Sequence, residues 1–480
     1  MKDVAWMTST PVFRYFADIC AIPHGSGDMD AISAYCMRFA QEQGLQAVCD
    51  EAKNVMIYKP GTAGYEAAAP VILQGHLDMV CQKTEDCAID FTKDGLDVFT
   101  DGDFIRARGT TLGADNGIAV AMILTILASR DLPHPPIEAV LTTDEEIGMV
   151  GAKQLDITRL KGRRMINLDA EEADILTVSC AGGSDCRLFL PAGRRMAHGT
   201  AVIVDIQGLQ GGHSGVDIDR GRVNANLLAG RLLYEVGKVS AFDLVSLQGG
   251  TKGNVIPFGC RAELITPDPD GLMRRFEDVF AAVKQEITAR EPQVSLGVHR
   301  EKESEAAALD PAARDKLLEL LLTTPNGVME MSAEIPGLVE TSLNLGVLMT
   351  QEDGVVLQYA LRSNKSSALA FLEDKLTVFA AGHGCCAALD GRYDPWEYRE
   401  HSPLQAIYRE TFREAFGHEP QVAAIHAGLE CAVFAAKRKD LDCIAIGPDM
   451  FDVHTVQERL SIASTRKMFD LLCTVLAKCR

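Results

Sequence analysis

Three short runs constrain the fold of this chain more than any other feature: "PVILQG" at 70–75, "IEAVLTTD" at 137–144 and "RRMINLD" at 163–169. Each is largely apolar without strict alternation, so the strand it forms is buried on both faces. A helical pattern at 117–129 lies between the first two runs, and another occupies 28–43. Near the C-terminus, "LDCIAIGP" (441–448) reads as a further buried strand, followed by a helix at 464–478. Strands that alternate with helices imply an α/β fold, a mainly parallel sheet covered by helices.

The middle of the chain has a different pattern. "GTAVIVDIQGL" leads to the helical "VNANLLAGRLLYEVG", and "GNVIPFGCRAELI" to the charged amphipathic "DGLMRRFEDVFAAVKQEITAR". A second set follows: a helix at 312–322, strands within 341–361, a helix at 366–381 and a strand at 385–389. Each helix has one apolar stripe, as expected for helices on one face of an antiparallel sheet. The reading is a first domain in two pieces, 1–182 and 398–480, interrupted by an inserted α+β domain at 183–397 with two halves of similar pattern. A length of 480 residues suits such a division, since one core rarely grows that large.

Charge and cysteine usage narrow the setting. The formal net charge is −20, from 67 acidic and 47 basic residues, which disfavours nucleic acid or an anionic membrane surface as partner. The longest apolar run, "GIAVAMILTILA" (117–128), is too short to span a bilayer, and the N-terminus lacks the apolar core of a secretory signal. Fourteen cysteines are scattered without a CxxC pair. That pattern reads as reduced thiols of a soluble cytoplasmic protein, not as a disulfide framework or a thiolate zinc site.

Chemistry gathers where the strands end. His76 and Asp78 follow the first run in "LQGHLDMV", and Asp115 in "TLGADNGIAV" precedes a helix. Asp144, Glu145 and Glu146 follow the second run, Asp169 ends the third, and His454 lies between the C-terminal strand and its helix. Alone, each has an ordinary reading: HxD arises by chance, and adjacent glutamates commonly form a solvated turn. Together they are harder to dismiss, because loops beyond the carboxyl ends of parallel strands converge on one crevice. That much negative charge repels itself unless cations neutralise it. Two histidines with carboxylates and no thiols suit zinc, with manganese or cobalt admitted by the oxygen-rich set. Five ligands serve two ions if one carboxylate bridges, and paired ions activate water. Glu145 and Glu146 cannot easily both bind, so one coordinates while the other is free to act as a base.

This ordered set, HxD, D, EE, D and H, resembles the M20 metallopeptidase family and, over essentially the whole chain, its aminoacyl-histidine dipeptidase branch. The inserted segment carries further matching motifs, "GLQGGHSG" (208–215), "GGTKGNVIP" (249–257) and "LRSN" (361–364). The resemblance implies a zinc-peptidase catalytic domain with an inserted lid. It implies that His76, Asp115 and Asp169 bind one ion, while Glu146 and His454 bind a second that Asp115 shares. It implies Glu145 as general base and Asp78 as the carboxylate that orients His76. His213 would polarise the scissile carbonyl, and Asn254 and Arg362 would contact the substrate's carboxylate end. Gly428 and Glu430 of "HAGLEC" lie in a loop that either lines the site or is a structural turn.

The function implied is hydrolysis of dipeptides, Xaa-His dipeptides such as β-alanyl-histidine among them, by water activated between two metal ions. The lid would close over the substrate. Two alternatives use the same fold: an amino-acid deacylase or carboxypeptidase, and a catalytically silent binding protein, which the complete ligand set argues against. A homodimer is compatible with the sequence. The doubled lid pattern implies that His213 serves its own chain.

Overall fold

The computed structural model describes Val4 and residues 6–480, which form two compact units. Unit 1 comprises 1–180, 396–424 and 429–480; unit 2 comprises 181–395 and the four residues 425–428.

The main sheet of unit 1 has eight strands in the order Gln46–Cys49, Val55–Lys59, Ile137–Thr142, Val71–His76, Arg164–Asn167, Asp442–Ala445, Ile175–Cys180, Gln421–Ile425. The central four, Ile137–Thr142 to Asp442–Ala445, pair in parallel. They are the four apolar runs of the sequence. Antiparallel strands flank them, Val55–Lys59 on one side and Ile175–Cys180 on the other. The sheet is therefore parallel at its centre and mixed at its margins. The flanking strands at 46–59 escape sequence reading because the outer one is only partly buried and shows no clear period.

The helix expected at 117–129 runs Ala114–Ala128 and is buried along nearly its whole length. It is apolar all round because it lies on the central Val71–His76 strand and is itself covered by the helix Pro11–Cys20. Gly117 makes that approach close: a Cβ there would lie 3.3 Å from Phe16 and 3.5 Å from Ile19. Asp115 and Asn116, joined by a cis peptide, depart from helical dihedrals at its start. A four-stranded sheet (Met450–Phe451, Arg459–Ser461, Phe104–Ala107, Val98–Asp101) holds the loop that carries His454. The fourteen cysteines are all free thiols. Among the described residues no helix is long and apolar enough to cross a membrane.

Unit 2 is built on one nine-stranded antiparallel sheet. Four strands, Ser295–Leu309, Arg194–Gln207, Cys260–Thr266 and Asp243–Gly249, form one part. Val339–Thr350, Gly354–Ser363, Gly182–Pro191 and Cys386–Tyr393 form the other, with Gly327–Met331 paired to the first of them. The parts join through two register pairs, Gln248↔Met349 and Gly249↔Leu348. They nevertheless share one apolar core, from Leu232, Leu264 and Phe276 to Leu343, Tyr359 and Leu372. Nor do they divide cleanly in sequence, since Gly182–Pro191 opens the unit but pairs with Gly354–Ser363. Helices Ala225–Gly237, Pro269–Ile287, Pro311–Thr323 and Ser366–Gly382 present their apolar stripes to this core. His213 lies on a separate two-stranded ribbon, opposite Val255.

One glycine decides how the central strands end. A Cβ on Gly75 would come within 2.5 Å of Asn116 Oδ1 and 3.0 Å of the Ala119 Cβ. Asn116 needs that space, since its Oδ1 accepts the His76 N–H (3.2 Å) and its Nδ2 donates to the Leu168 carbonyl (3.0 Å). Gly75→Ala should therefore cost about 1–3 kcal/mol of stability by overpacking. Urea unfolding measures this, and an unchanged midpoint would show that Asn116 relaxes freely.

Candidate active site

The carboxyl ends of three adjacent parallel strands bring the residues of unit 1 together. His76 ends its strand, Asp169 follows Arg164–Asn167, and Glu145 and Glu146 follow Ile137–Thr142. His76 Nε2 lies 3.1 Å from Asp115 Oδ1 and 3.4 Å from Asp169 Oδ1. His454 Nε2 lies 3.1 Å from Asp115 Oδ2 and 2.9 Å from Glu146 Oε1. Asp115 thus turns one oxygen to each imidazole.

Local bonds set each side chain. His76 Nδ1 is 3.0 Å from the Asp78 carbonyl and 3.5 Å from its carboxylate, so the backbone oxygen is the nearer partner. The Asp78 carboxylate also accepts the N–H groups of Glu145 (3.0 Å) and Glu146 (3.2 Å) and the Ser26 hydroxyl (2.8 Å). It therefore pins the acidic loop directly. Asn54 holds the base of that loop, accepting the Thr143 N–H and donating to the Gly151 carbonyl. The loop is a tight turn, with the Gly148 and Met149 N–H groups both on the Glu145 carbonyl. Glu146 reaches His454, whereas the Glu145 carboxylate has no hydrogen-bond or ion-pair partner among the described residues. His454 sits on a left-handed backbone, φ 63°.

The electrostatics show what this set lacks. With Nδ1 donating to a carbonyl, neutral His76 directs its Nε2 lone pair at two carboxylates. Among the described residues no lysine or arginine pairs with Asp115, Glu146 or Asp169. Protons fill the gap. Burial opposes a charge on His76, but Asp169 and the bonds to Asp115, Asp169 and Asp78 outweigh it and raise its pKa well above the usual value. Hydrogen bonds to Asp115 and Glu146 push His454 up to about 11. Burial, with Glu430, Glu146 and Asp115 nearby, pushes Glu145 up to about 8. Burial likewise holds Asp169 well above the carboxylate range.

The spacing of the same atoms also suits cations. Two donors bound tetrahedrally at zinc distances stand about 3.3 Å apart. The 2.9–3.4 Å separations here match that spacing. His76, Asp115 and Glu146 each offer an atom within 4.8 Å of the others, a set able to hold an ion. Cys81 offers none: its thiol points to the Met79 carbonyl.

Beneath these residues runs a buried polar layer, of which the sequence singled out Glu430 but not Gln74, Thr142 or Asn167. Gln74 Nε2 donates to Glu430 Oε2 (2.5 Å), Thr142 Oγ1 donates to the same oxygen (2.6 Å), and Asn167 Nδ2 donates to Gln74 Oε1 (2.6 Å). Asn167 Oδ1 in turn accepts the Asp169 N–H. Glu430 is fully buried and burial pushes it up to about 7, so it belongs to this layer below the strand ends. The one available signal was a polar residue in each otherwise apolar run, too common to single out.

Unit 2 holds a second group. His213 Nδ1 accepts the N–H groups of Gly215 and Val216, both at 3.2 Å, so in the neutral ring the proton sits on Nε2. Burial, then the charge of Arg362, lowers its pKa and keeps it neutral at pH 7. Arg362 is 9% exposed, its Nη1 donates to the Tyr393 hydroxyl, and its Nε has no partner among the described residues. No carboxylate lies within ion-pair distance of it among the described residues. Such a guanidinium has donors free to receive an anion. Asn254 is exposed, and its backbone carbonyl accepts the Ser214 N–H beside His213. His426 was missed. It bonds Ser342 Oγ (2.7 Å) and Asn364 Oδ1 (3.1 Å), which flank Arg362 in the paired strands.

Comparison with known proteins now adds a decisive observation. The model of peptidase family M20/M25/M40 matches residues 72–478. The chain belongs to this family. It is 35% identical over 480 residues to the cytosol non-specific dipeptidase of Escherichia coli (strain K12), covering 99% of each protein. It is also similar to the crystal structure of aminoacylhistidine dipeptidase from Vibrio alginolyticus, at 35% identity, 98% coverage of each chain and a TM-score of 0.89. The aminopeptidase PepT structure from Bacillus cereus shares the fold, at 13% identity and a TM-score of 0.56 over 98% of each chain.

His426 gives this M20 peptidase a pH signature. Burial, then Arg362 and His213, lower its pKa to about 3. Below about pH 6.5 the unfolded chain binds a proton that the folded imidazole refuses, so stability falls as pH drops toward 3. The loss attributable to this residue is on the order of 4 kcal/mol across that window. Urea midpoints against pH should therefore fall less steeply for His426→Gln than for the wild type. Parallel profiles would contradict the assignment.

Proposed function

We propose that this peptidase hydrolyses dipeptides bearing a free C-terminal carboxylate, Xaa-His dipeptides such as β-alanyl-histidine among them. His76, Asp115 and Asp169 would hold one divalent ion, and Glu146 and His454, with Asp115, would hold a second. The observation that carries this reading is the Asp115 carboxylate, with one oxygen on His76 and the other on His454. Two full-length relatives that carry dipeptidase in their names support the substrate class. The two-histidine, carboxylate-rich donor set favours zinc and admits manganese or cobalt. When bound, such ions acidify water and stabilise developing negative charge.

The chain's own groups divide the remaining work. Glu145, with no partner to satisfy, takes the proton of the attacking water and delivers it to the amide nitrogen as the C–N bond breaks. Asp78 positions Glu145 and Glu146 by accepting their N–H groups. His213, protonated on Nε2, donates to the carbonyl oxygen as it gains charge. Arg362 receives the substrate's carboxylate, and Asn254 contacts the same end. The free thiols and the relative's cytosolic name support a cytoplasmic setting, and a homodimer is compatible with this reading.

The test is hydrolysis by metal-stripped enzyme refilled with zinc, manganese or cobalt. Its panel pairs β-alanyl-histidine and other dipeptides with their C-terminal amides and with N-acyl amino acids. Free dipeptides should be cleaved, and amidation should cost about 2–5 kcal/mol in kcat/KM. Equal cleavage of acid and amide, or preference for N-acyl amino acids, would overturn the assignment. Glu145→Ala should keep both metal equivalents while turnover falls by about 10²–10⁴-fold.

A further inference from the structure

The helix Ala114–Ala128 begins without a local cap. Its N-cap is Gly113, on a left-handed backbone (φ 67°), and no side chain of that turn accepts the exposed N–H groups. A distant residue does. Glu458 is 3% exposed, and its Oε2 accepts the N–H groups of Leu112 (2.7 Å) and Gly113 (3.2 Å). Its Oε1 accepts the N–H of Ala114 (2.8 Å), the residue before Asp115.

Glu458 comes from the loop that carries His454, and that loop is tied to itself. The Thr455 N–H and hydroxyl both donate to the Asp452 carbonyl, the Glu458 N–H donates to the Thr455 carbonyl, and Arg459 pairs with the Asp452 carboxylate. Strand pairing of Met450–Phe451 with Arg459–Ser461 closes its base. His454 and Glu458 are therefore fixed relative to each other. One carboxylate joins this loop to the turn that presents Asp115. The turn has little room to adjust, since a Cβ on Gly113 would lie 2.7 Å from Met79 Sδ.

We propose that Glu458 is a positioning residue that sets the separation of Asp115 and His454, and thereby the affinity for the second ion more than for the first. The inference rests on the two-ion reading above. The asymmetry follows from how each side is built. His76 and Asp169 emerge from adjacent, directly paired strands and are tied by Asn116 and Asn167, none of which Glu458 touches. His454 meets Asp115 only through the loop that Glu458 anchors.

The test is metal retention, independent of turnover. Wild type, Glu458→Gln and Glu458→Asp are dialysed to equilibrium against buffered zinc and counted by mass spectrometry, with urea unfolding run in parallel. Gln preserves size but turns an amide NH₂ toward N–H donors; Asp keeps the charge on a shorter arm. The first equivalent should bind all three proteins alike, with the second about ten- to a hundredfold weaker in Glu458→Gln and intermediate in Glu458→Asp. Should Glu458→Gln fail to fold, the Asp variant carries the same comparison. Unchanged binding of both equivalents would overturn the proposal, even if stability fell, and so would equal weakening of both. A wild type that binds one equivalent would instead overturn the two-ion reading itself.

Discussion

The candidate site of unit 1 depends on one carboxylate facing two imidazoles. Asp115 places its oxygens 3.1 Å from His76 and 3.1 Å from His454, with Asp169 and Glu146 closing the two ends. Without positive charge such a cluster resists assembly, because buried carboxylates at these distances repel one another. Here the neighbouring carboxylates raise the pKa of His76 and His454, and burial raises those of Asp169 and Glu145, so the cluster favours protons where no cation is present. Divalent ions would displace those protons and couple metal affinity to pH.

Much of the remaining architecture keeps that carboxylate in place. Gly75 leaves space for Asn116, which ties the His76 strand to Leu168. Gln74, Thr142, Asn167 and Glu430 form a polar layer across three strand ends. Asp78 holds the acidic loop by its backbone, which aligns Glu146 with His454 and leaves Glu145 unpaired. Fixing side chains by outer hydrogen bonds in this way keeps their reorganisation small.

The central strands and the candidate residues at their ends were legible in the sequence for one reason. Buried parallel strands read as apolar runs, so a His or Asp at the end of such a run stands out. The family motifs then pointed to His213 and Arg362 in the inserted segment. Other features left no local trace. The strand Ser295–Leu309 lies at a sheet edge with charged, exposed residues, so no apolar period marks it. Glu458 caps a helix 344 residues away, and nothing near it in sequence reveals the partner. His76 is the finest case. HxD suggests a carboxylate behind the ring; the Asp78 carboxylate lies 3.5 Å from Nδ1, the Asp78 backbone oxygen is nearer, and the same carboxylate also holds the next loop.

The most direct test of this account is anomalous diffraction at the zinc edge from crystals of the zinc-loaded protein. Two peaks are predicted, one among His76, Asp115 and Asp169 and one among Asp115, Glu146 and His454, with the Asp115 carboxylate between them. A single peak, or two peaks that do not share Asp115, would contradict it.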